Sequence, residues 1–271
     1  MKIQNILTMT IIILASFVSL VSADDVIKTY YDNGNLRSEI PSVNDKMHGI
    51  GKEYYESGQL KYEIPYVHGK SHGVQKCYYE SGQLKSEMPL VNGDAHGIQK
   101  DYYESGQLRN ETPMVHGKTD GIQREYYENG RMKIETPYHN DKRHGIKRNY
   151  YENGQLQFEA NYEDGNLKSE RPFFNDKVHG IWKAYYKNGK VKFEWPYIDG
   201  VKHGTEKEYE EDGNIKFETE YVQGKKHGIM KRYKKGELIY VLDYVNDERL
   251  WYTRNKNLII IHPGLLYFLL I

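Results

Sequence analysis

Residues able to do chemistry recur in this sequence at fixed intervals. His-Gly stands at 48–49, 72–73, 96–97, 144–145, 179–180, 203–204 and 227–228, and Asp120-Gly121 fills the remaining place. A series of imidazoles invites a zinc reading. Positions one repeat apart in a hairpin array lie two strands apart, about 9–10 Å. Zinc holds each His nitrogen at about 2 Å, so neighbours in the row do not share an ion. The His row therefore reads as turn residues bonded to local backbone ahead of a required Gly, a role Asp120 also serves. No metal and no cofactor is expected.

A carboxylate series runs beside it: Glu39, Glu63, Glu87, Glu111, Glu135, Glu159, Glu170, Glu194 and Glu218. Paired carboxylates can cleave glycosides. An active site is local and asymmetric, however, and a carboxylate repeated in every unit reads as an ion-paired, solvated face. Cys77 stands where Glu53, Asp101 and Glu125 stand in sister units, so it reads as a substitution within a row and not as a nucleophile. There is no phosphate loop, and the glycines recur as turn punctuation. The expectation is a protein that is not an enzyme. Candidate partner-binding residues are Tyr55, Tyr79, Tyr103, Tyr127 and Tyr151, with Glu63, Glu87 and Glu111. Tyr is enriched in binding hot spots. The same rings can instead stack on their neighbours and hold a one-layer sheet together, and one surface can do both.

The elements that position these side chains follow from the interval itself. Tyr-Tyr recurs at 30–31, 54–55, 78–79, 102–103, 126–127 and 150–151, a step of 24 residues, before a single step of 35 to Tyr185-Tyr186. Within one unit, Ile98 to Tyr103 is a short run of aromatic and apolar residues, Glu104-Ser105-Gly106-Gln107 a turn, and Leu108 to Val115 a second run. Strand, tight turn, strand and longer turn make a hairpin repeat. Asn33-Gly34, Asn129-Gly130, Asn153-Gly154, Asp164-Gly165, Asn188-Gly189 and Asp212-Gly213 predict two-residue hairpin turns. The second strand alternates: Leu60, Tyr62, Ile64 and Tyr66 on one face, Lys61, Glu63 and Pro65 on the other. With 26 Tyr against 7 Phe, the chain favours rings that tolerate a half-wet strand.

Proline recurs inside the second strand at 41, 65, 89, 113, 137, 172 and 196. It cannot donate to a ladder, so pairing must break or bulge there. Residues before each Pro are expected to pair with the preceding strand and residues after it with the next. The 35-residue step reads as one additional strand near 156–174, since Leu167, Lys168, Glu170 and Pro172 repeat the second-strand code; the alternative is that the 11 extra residues bulge out as a loop and leave the direction unchanged. One extra strand reverses direction in an antiparallel meander. Tight turns from Gly34 to Gly154 are then expected on one edge, and those at Gly189, Gly213 and Gly236 on the other.

The pattern Tyr-Tyr-x-x-Gly-x-Leu-Lys-x-Glu … Gly-Lys-x-His-Gly, clearest over Tyr54–Gly73 and Tyr78–Gly97, resembles the MORN-repeat variant family. The resemblance covers about 28–248 and implies an all-β, elongated antiparallel β-meander of tandem 24-residue hairpin repeats. Bacterial members with this spelling are often classed as YwqK-type antitoxins. The resemblance therefore implies a protein partner and an immunity-like role.

Composition and the chain ends bound the setting. Lys+Arg and Asp+Glu are both 38, a balance without the basic excess that marks nucleic-acid binding. Lys2, the apolar stretch Ile6 to Leu20, and Val21-Ser22-Ala23 predict a signal peptide over 1–23, cleaved after Ala23. The expected location is secreted or periplasmic, with a repeat array over 24–248. An apolar cap or tail occupies 249–271: Leu258 to Ile261 and Leu265 to Ile271 flank His262-Pro263-Gly264. It reads as a hydrophobic hairpin capping the last repeat or as an unstructured, aggregation-prone tail, and it offers membrane contact. Two functions compete: an exported binder of a protein partner through its sheet surface, and a peripheral membrane or envelope attachment module. A toxin gene beside this one favours the first, and tail-dependent membrane fractionation the second.

Overall fold

The computed structural model describes residues 26–250, together with a two-residue strand, Val18–Ser19, set against Lys28 and Thr29. Cleavage after Ala23 and the apolar tail at 258–271 lie outside the described residues. Contacts divide the chain into two units, Met1–Met132 and Lys133–Ile271. In both, the described residues form strands joined by turns, every pairing is antiparallel, and each strand pairs with those just before and after it in the sequence. The fold class is all-β, a meander of repeating hairpins.

One period in the first unit shows how the residues make it. Strand Gly49–Tyr54 pairs with Leu60–Val67, from Gly49↔Tyr66 to Tyr54↔Leu60. The connection is a three-residue loop and not the expected two-residue turn. Gly58 N–H donates to Tyr55 O (2.9 Å), Tyr55 N–H donates to Gln59 O (2.7 Å), and only Gly58 has positive φ, at 89°. This is a type I turn closed by a left-handed glycine bulge. A second register shift lies between Glu53 and Tyr54, so the alternation expected through Leu60-Lys61-Tyr62 is interrupted there. The two-residue turns belong to the other end of the repeat. At His68-Gly69, φ is 51° and 85°, and Val67 pairs directly with Lys70. Asp164-Gly165 is of this second kind, with φ of 50° and 86°.

Proline does break the ladder, in a different place from the one expected. The preceding strand pairs from Leu60 to Tyr66, Pro65 included, opposite Ile50. On the other side, Tyr62 and Glu63 pair with Cys77 and Lys76, then Tyr66 and Val67 with Ser71 and Lys70. Four residues, His72 to Gln75, stand there against two, Ile64 and Pro65, and the His72 backbone N–H donates to Pro65 O at 2.9 Å. Gly73 follows at φ 119°, and a Cβ there would stand 3.0 Å from Pro65 Cγ. The Pro and the Gly fit one another here: the missing N–H leaves room for the bulge, and the bulge brings the glycine against the ring.

In the second unit the 35-residue step carries two full strands, Leu156–Glu163 and Asn166–Phe174, where other periods have one. From Gly145–Tyr150 to Gly180–Tyr185 there are three antiparallel steps, so these two equivalent strands run in opposite directions. The edges exchange accordingly. The two-residue turn at 164–165 joins the edge of the preceding two-residue turn, Gly165 N–H donating to Arg143 O (2.8 Å). The next one, at 175–176, lies on the opposite edge, where Asp176 Oδ1 accepts from Leu156 N–H (3.4 Å).

The faces exchange as well, which the sequence reading did not anticipate. Residues directly across an antiparallel pair share a face, and sequence neighbours take opposite faces. Arg148, Glu159 and Arg171 stand in one row. Lys147 and Ala160 stand in the other row, which continues through Glu170, Lys183, Glu194, Lys207, Glu218 and Lys231. The physical cause is handedness. A chiral repeat whose strands are reversed can stay in the same sheet only by turning over.

Burial is shallow throughout. Among the described residues the buried apolar side chains are Cys77, Leu90 and Ala160. Most others are half-buried, as expected where rows of side chains cover each other along a sheet without a second packed layer.

Candidate functional site

The two tyrosines of each Tyr-Tyr pair do different work. The first reaches back 15 residues to the carboxylate series: Tyr54 to Glu39 (2.7 Å), Tyr78 to Glu63 (2.7 Å), Tyr102 to Glu87 (2.9 Å) and Tyr126 to Glu111 (2.9 Å). The same bond recurs at Tyr209 with Glu194 (2.8 Å) and Tyr233 with Glu218 (2.8 Å). Burial, and then the hydrogen bond to the carboxylate, push the hydroxyls of Tyr54, Tyr78, Tyr102 and Tyr209 up to about 12. Tyr185, donating to Glu170, is raised further in the same direction.

The second tyrosine reaches forward 23 residues to backbone. Tyr55 donates to Tyr78 O (2.8 Å), Tyr79 to Tyr102 O (2.7 Å) and Tyr103 to Tyr126 O (2.8 Å). Lys61 Nζ lies 5.4 Å from the Tyr55 ring centroid and Lys85 Nζ 5.4 Å from that of Tyr79. Tyr127 closes its own turn, N–H to Arg131 O (2.8 Å). Tyr151 lines a cavity of about 740 Å³ with Asn149, Phe158, Pro172, Phe174 and His179.

The candidate residues do not form one cluster. Tyr55 lies beside Tyr62 and Cys77, whose hydroxyl and thiol face each other across the strands. Glu63 and Lys76, one residue along, point to the opposite face. The tyrosine row and the glutamate row therefore line two different surfaces of the first unit.

The glutamate row is only half described by the words ion-paired face. It alternates strictly with cations across the strands: Lys28, Glu39, Lys52, Glu63, Lys76, Glu87, Lys100, Glu111, Arg124. Each Glu from 39 to 111 also accepts the tyrosine hydroxyl described above. Glu159 is the exception. The position 15 residues on is Phe174, which has no hydroxyl to give. Glu159 instead takes Arg148 (2.9 Å) and Arg171 (2.6 Å), and is itself buried.

The histidines use their rings differently from the expectation. The backbone N–H, not the ring, satisfies the proline carbonyl, and the ring meets the next repeat's turn. His48 packs on His68 (5.5 Å between centroids) and His96 on His116 (5.2 Å). His144 Nδ1 lies 3.4 Å from Asp164, and His179 Nδ1 lies 3.2 Å from Asp199. His68 and His116 are off the His-Gly row, so spacing within that row did not reveal these pairs. Among the described residues, no group of three or more His, Cys, Asp or Glu is placed to hold a metal.

The second unit holds a constellation that sequence reasoning missed. Trp182 and Trp195 meet edge to face at 5.3 Å, Phe193 stacks on Trp195 at 4.9 Å, and Tyr197 lies 6.1 Å from Trp182. Arg171 lies over the Trp182 ring at 5.2 Å while it holds Glu159. The Trp182 Nε1–H is buried without a hydrogen-bond partner. Tryptophan, confined to positions 182, 195 and 251, was the available signal. On the opposite face of these strands, Ile181, Pro196, Thr205 and Ile229 with Glu194, Lys207, Glu218 and Lys231 line a cavity of about 470 Å³.

Open antiparallel sheet built by hairpin repetition, carrying the same inter-repeat bonds at each period, defines a class of repeat protein. The MORN repeat variant family matches residues 26–44, 47–68, 71–92, 95–116, 119–140, 143–164, 178–199 and 202–223, and the chain belongs to that family. The gap at 165–177 coincides with the additional strand. MORN repeats are often protein- or membrane-binding modules. No curated protein matches the chain.

Proposed function

We propose that this is an exported, non-catalytic repeat protein that binds a protein partner through its sheet surface. The observation that carries the reading is the cluster of Trp182, Phe193, Trp195 and Tyr197 with Arg171, half-buried on a sheet without a second layer. Trp, Tyr and Arg dominate interface hot spots, because each combines a large apolar area with a polar handle. The tyrosine row at 55, 79 and 103 supports the same reading by its half-buried rings. The finer role, neutralising a toxin as an immunity or antitoxin protein, rests on the family spelling. Export rests on the leader over 1–23 and is checked by intact mass: a mature chain starting at Asp24 is expected, and one starting at Met1 overturns it.

Site-specific photo-crosslinking in the producing cell tests the binding. A crosslinker replacing Trp195 or Tyr79 should give one discrete heterotypic adduct, and the same group at Glu56 in a turn should not. Equal labelling at all three positions, or no adduct at the two sheet positions, removes the reading. Membrane or envelope attachment is the second reading, favoured by the apolar composition of 258–271. It requires that membrane fractionation be lost when those residues are deleted.

A further inference from the structure

The face of the first unit that carries the Lys–Glu row has a second feature. Beside the charges, toward the two-residue turns, runs a row of Val26, Ile50, Val74, Ile98 and Ile122, all between 38 and 54% exposed. Pro41, Pro65, Pro89 and Pro113 stand directly across from the first four. Continuous aliphatic rows of this length are seldom left to water in a monomer. Spacing is set by the strands, so both rows repeat every two strands, about 9–10 Å.

We propose that this face takes a second copy of the chain, face to face, about a two-fold axis parallel to the strands. The inference rests on the reading of the sheet as a binding surface and names what one face of it binds. Charge selects the occupant. A partner of one sign meets repulsion at every other strand along Lys28 to Arg124, and an apolar partner leaves nine charged groups facing it. A copy of the same row, reversed, meets attraction at every step. With the axis between Glu63 and Lys76, Lys76 faces Glu63 of the second copy, Glu87 faces Lys52, Lys100 faces Glu39 and Glu111 faces Lys28. An axis along the strands also leaves height along the strand unchanged, so the Val/Ile/Pro row falls on its own counterpart. Such a contact is isologous and closes at two copies. Its size is adequate: the eight strands that overlap, from Lys28 to Glu111, at about 4.8 Å by roughly 20 Å of strand give about 800 Å² per copy, the area of a standard specific interface.

Sedimentation velocity of the purified chain across micromolar concentrations should show a monomer–dimer equilibrium, weakened by salt. Val74→Asp with Ile98→Asp changes only exposed side chains and should weaken the dimer at least tenfold while leaving the circular dichroism spectrum unchanged. Lys76→Glu and Glu63→Lys should each weaken self-association, and a mixture of the two variants should restore it, since every clash in one is met by the other. A monomer throughout the concentration range overturns the inference. So does an oligomer that keeps its size in the aspartate double variant, or a mixture that regains nothing. A monomer that still forms the adduct at Trp195 overturns this inference alone. A dimer without that adduct overturns the heterotypic reading and leaves this one standing.

Discussion

The run of hairpins in the first unit and the segment Leu156–Tyr185 in the second are built from one vocabulary and solve different problems. In the first, two strands per period return each unit to the same direction, so each carboxylate finds a tyrosine 15 residues ahead and a cation on either side. In the second, three antiparallel steps separate equivalent strands, and the rows no longer continue. Glu159 loses its tyrosine to Phe174 and is held by two arginines, one of which also covers Trp182. Periodic bonding gives way to local bonding where the period is broken, and the aromatic cluster sits next to that break.

The largest effect should come from erasing the difference. Deleting residues 164–174 restores the 24-residue step between Gly145 and Gly180. Spin labels at Asn153 and Asn188, in a Cys77→Ser background, then move from opposite edges to one edge. The separation should drop from about 30 Å to about 10 Å, given about 3.3 Å per residue along a strand and about 4.8 Å between strands. An unchanged separation would mean that the strand does not set direction.

Energetics sharpen the same contrast. Glu159→Ala removes a buried carboxylate that accepts from both Arg148 and Arg171 and should cost about 2 kcal/mol, the range for charge-assisted hydrogen bonds left to half-exposed partners. Glu63→Ala removes the acceptor for Tyr78 and should cost about 1 kcal/mol. Urea denaturation of the two variants checks this, and equal losses would show that the break is held no differently from the run.

The smallest effect is a titration. Tyr54, Tyr78, Tyr102 and Tyr209 are raised from 10.0 to about 12, chiefly by burial and then by the carboxylate each one meets. Because the folded value lies above the unfolded one, their stabilising contribution is complete below about 10. It is lost as pH rises from there through 12. Absorbance of tyrosinate should reveal a late-ionising class, and stability should fall over that window. Glu63→Gln should bring Tyr78 part of the way back, leaving the share due to burial. If Tyr78 ionises with the exposed tyrosines in the wild-type chain, its bond to Glu63 is not formed in solution.

Much of this was legible from period and parity. Hairpin repetition followed from the 24-residue clock, and the additional strand from Leu167, Lys168, Glu170 and Pro172 repeating a known code. Turn types were exchanged, because Asn-Gly suits both a two-residue turn and a turn closed by a glycine bulge. Only the hydrogen bonds around Tyr55 and Gln59 distinguish them. Proline signalled a break, but not that the break lay on one side of its strand. Among site residues, the tyrosine and glutamate rows were both recognised. Their separation onto two faces was hidden by the bulge near Lys61 and by the 15- and 23-residue reaches of the two hydroxyls, which no local window contains. The Trp182–Trp195 cluster required knowing that these residues are opposed across a strand pair.

The turning-over at Asn166–Phe174 also says how such a chain can change over generations. Duplicating or losing a whole 24-residue unit adds or removes an even number of strands, and everything downstream keeps its orientation. Gaining or losing one strand is an odd event that inverts all later repeats at once, exchanging both edges and both faces without altering a residue in them. The additional strand is therefore an inherited parity bit. Array length can drift freely on either side of it, while the side each later repeat shows to the world is set by whether that one strand is present.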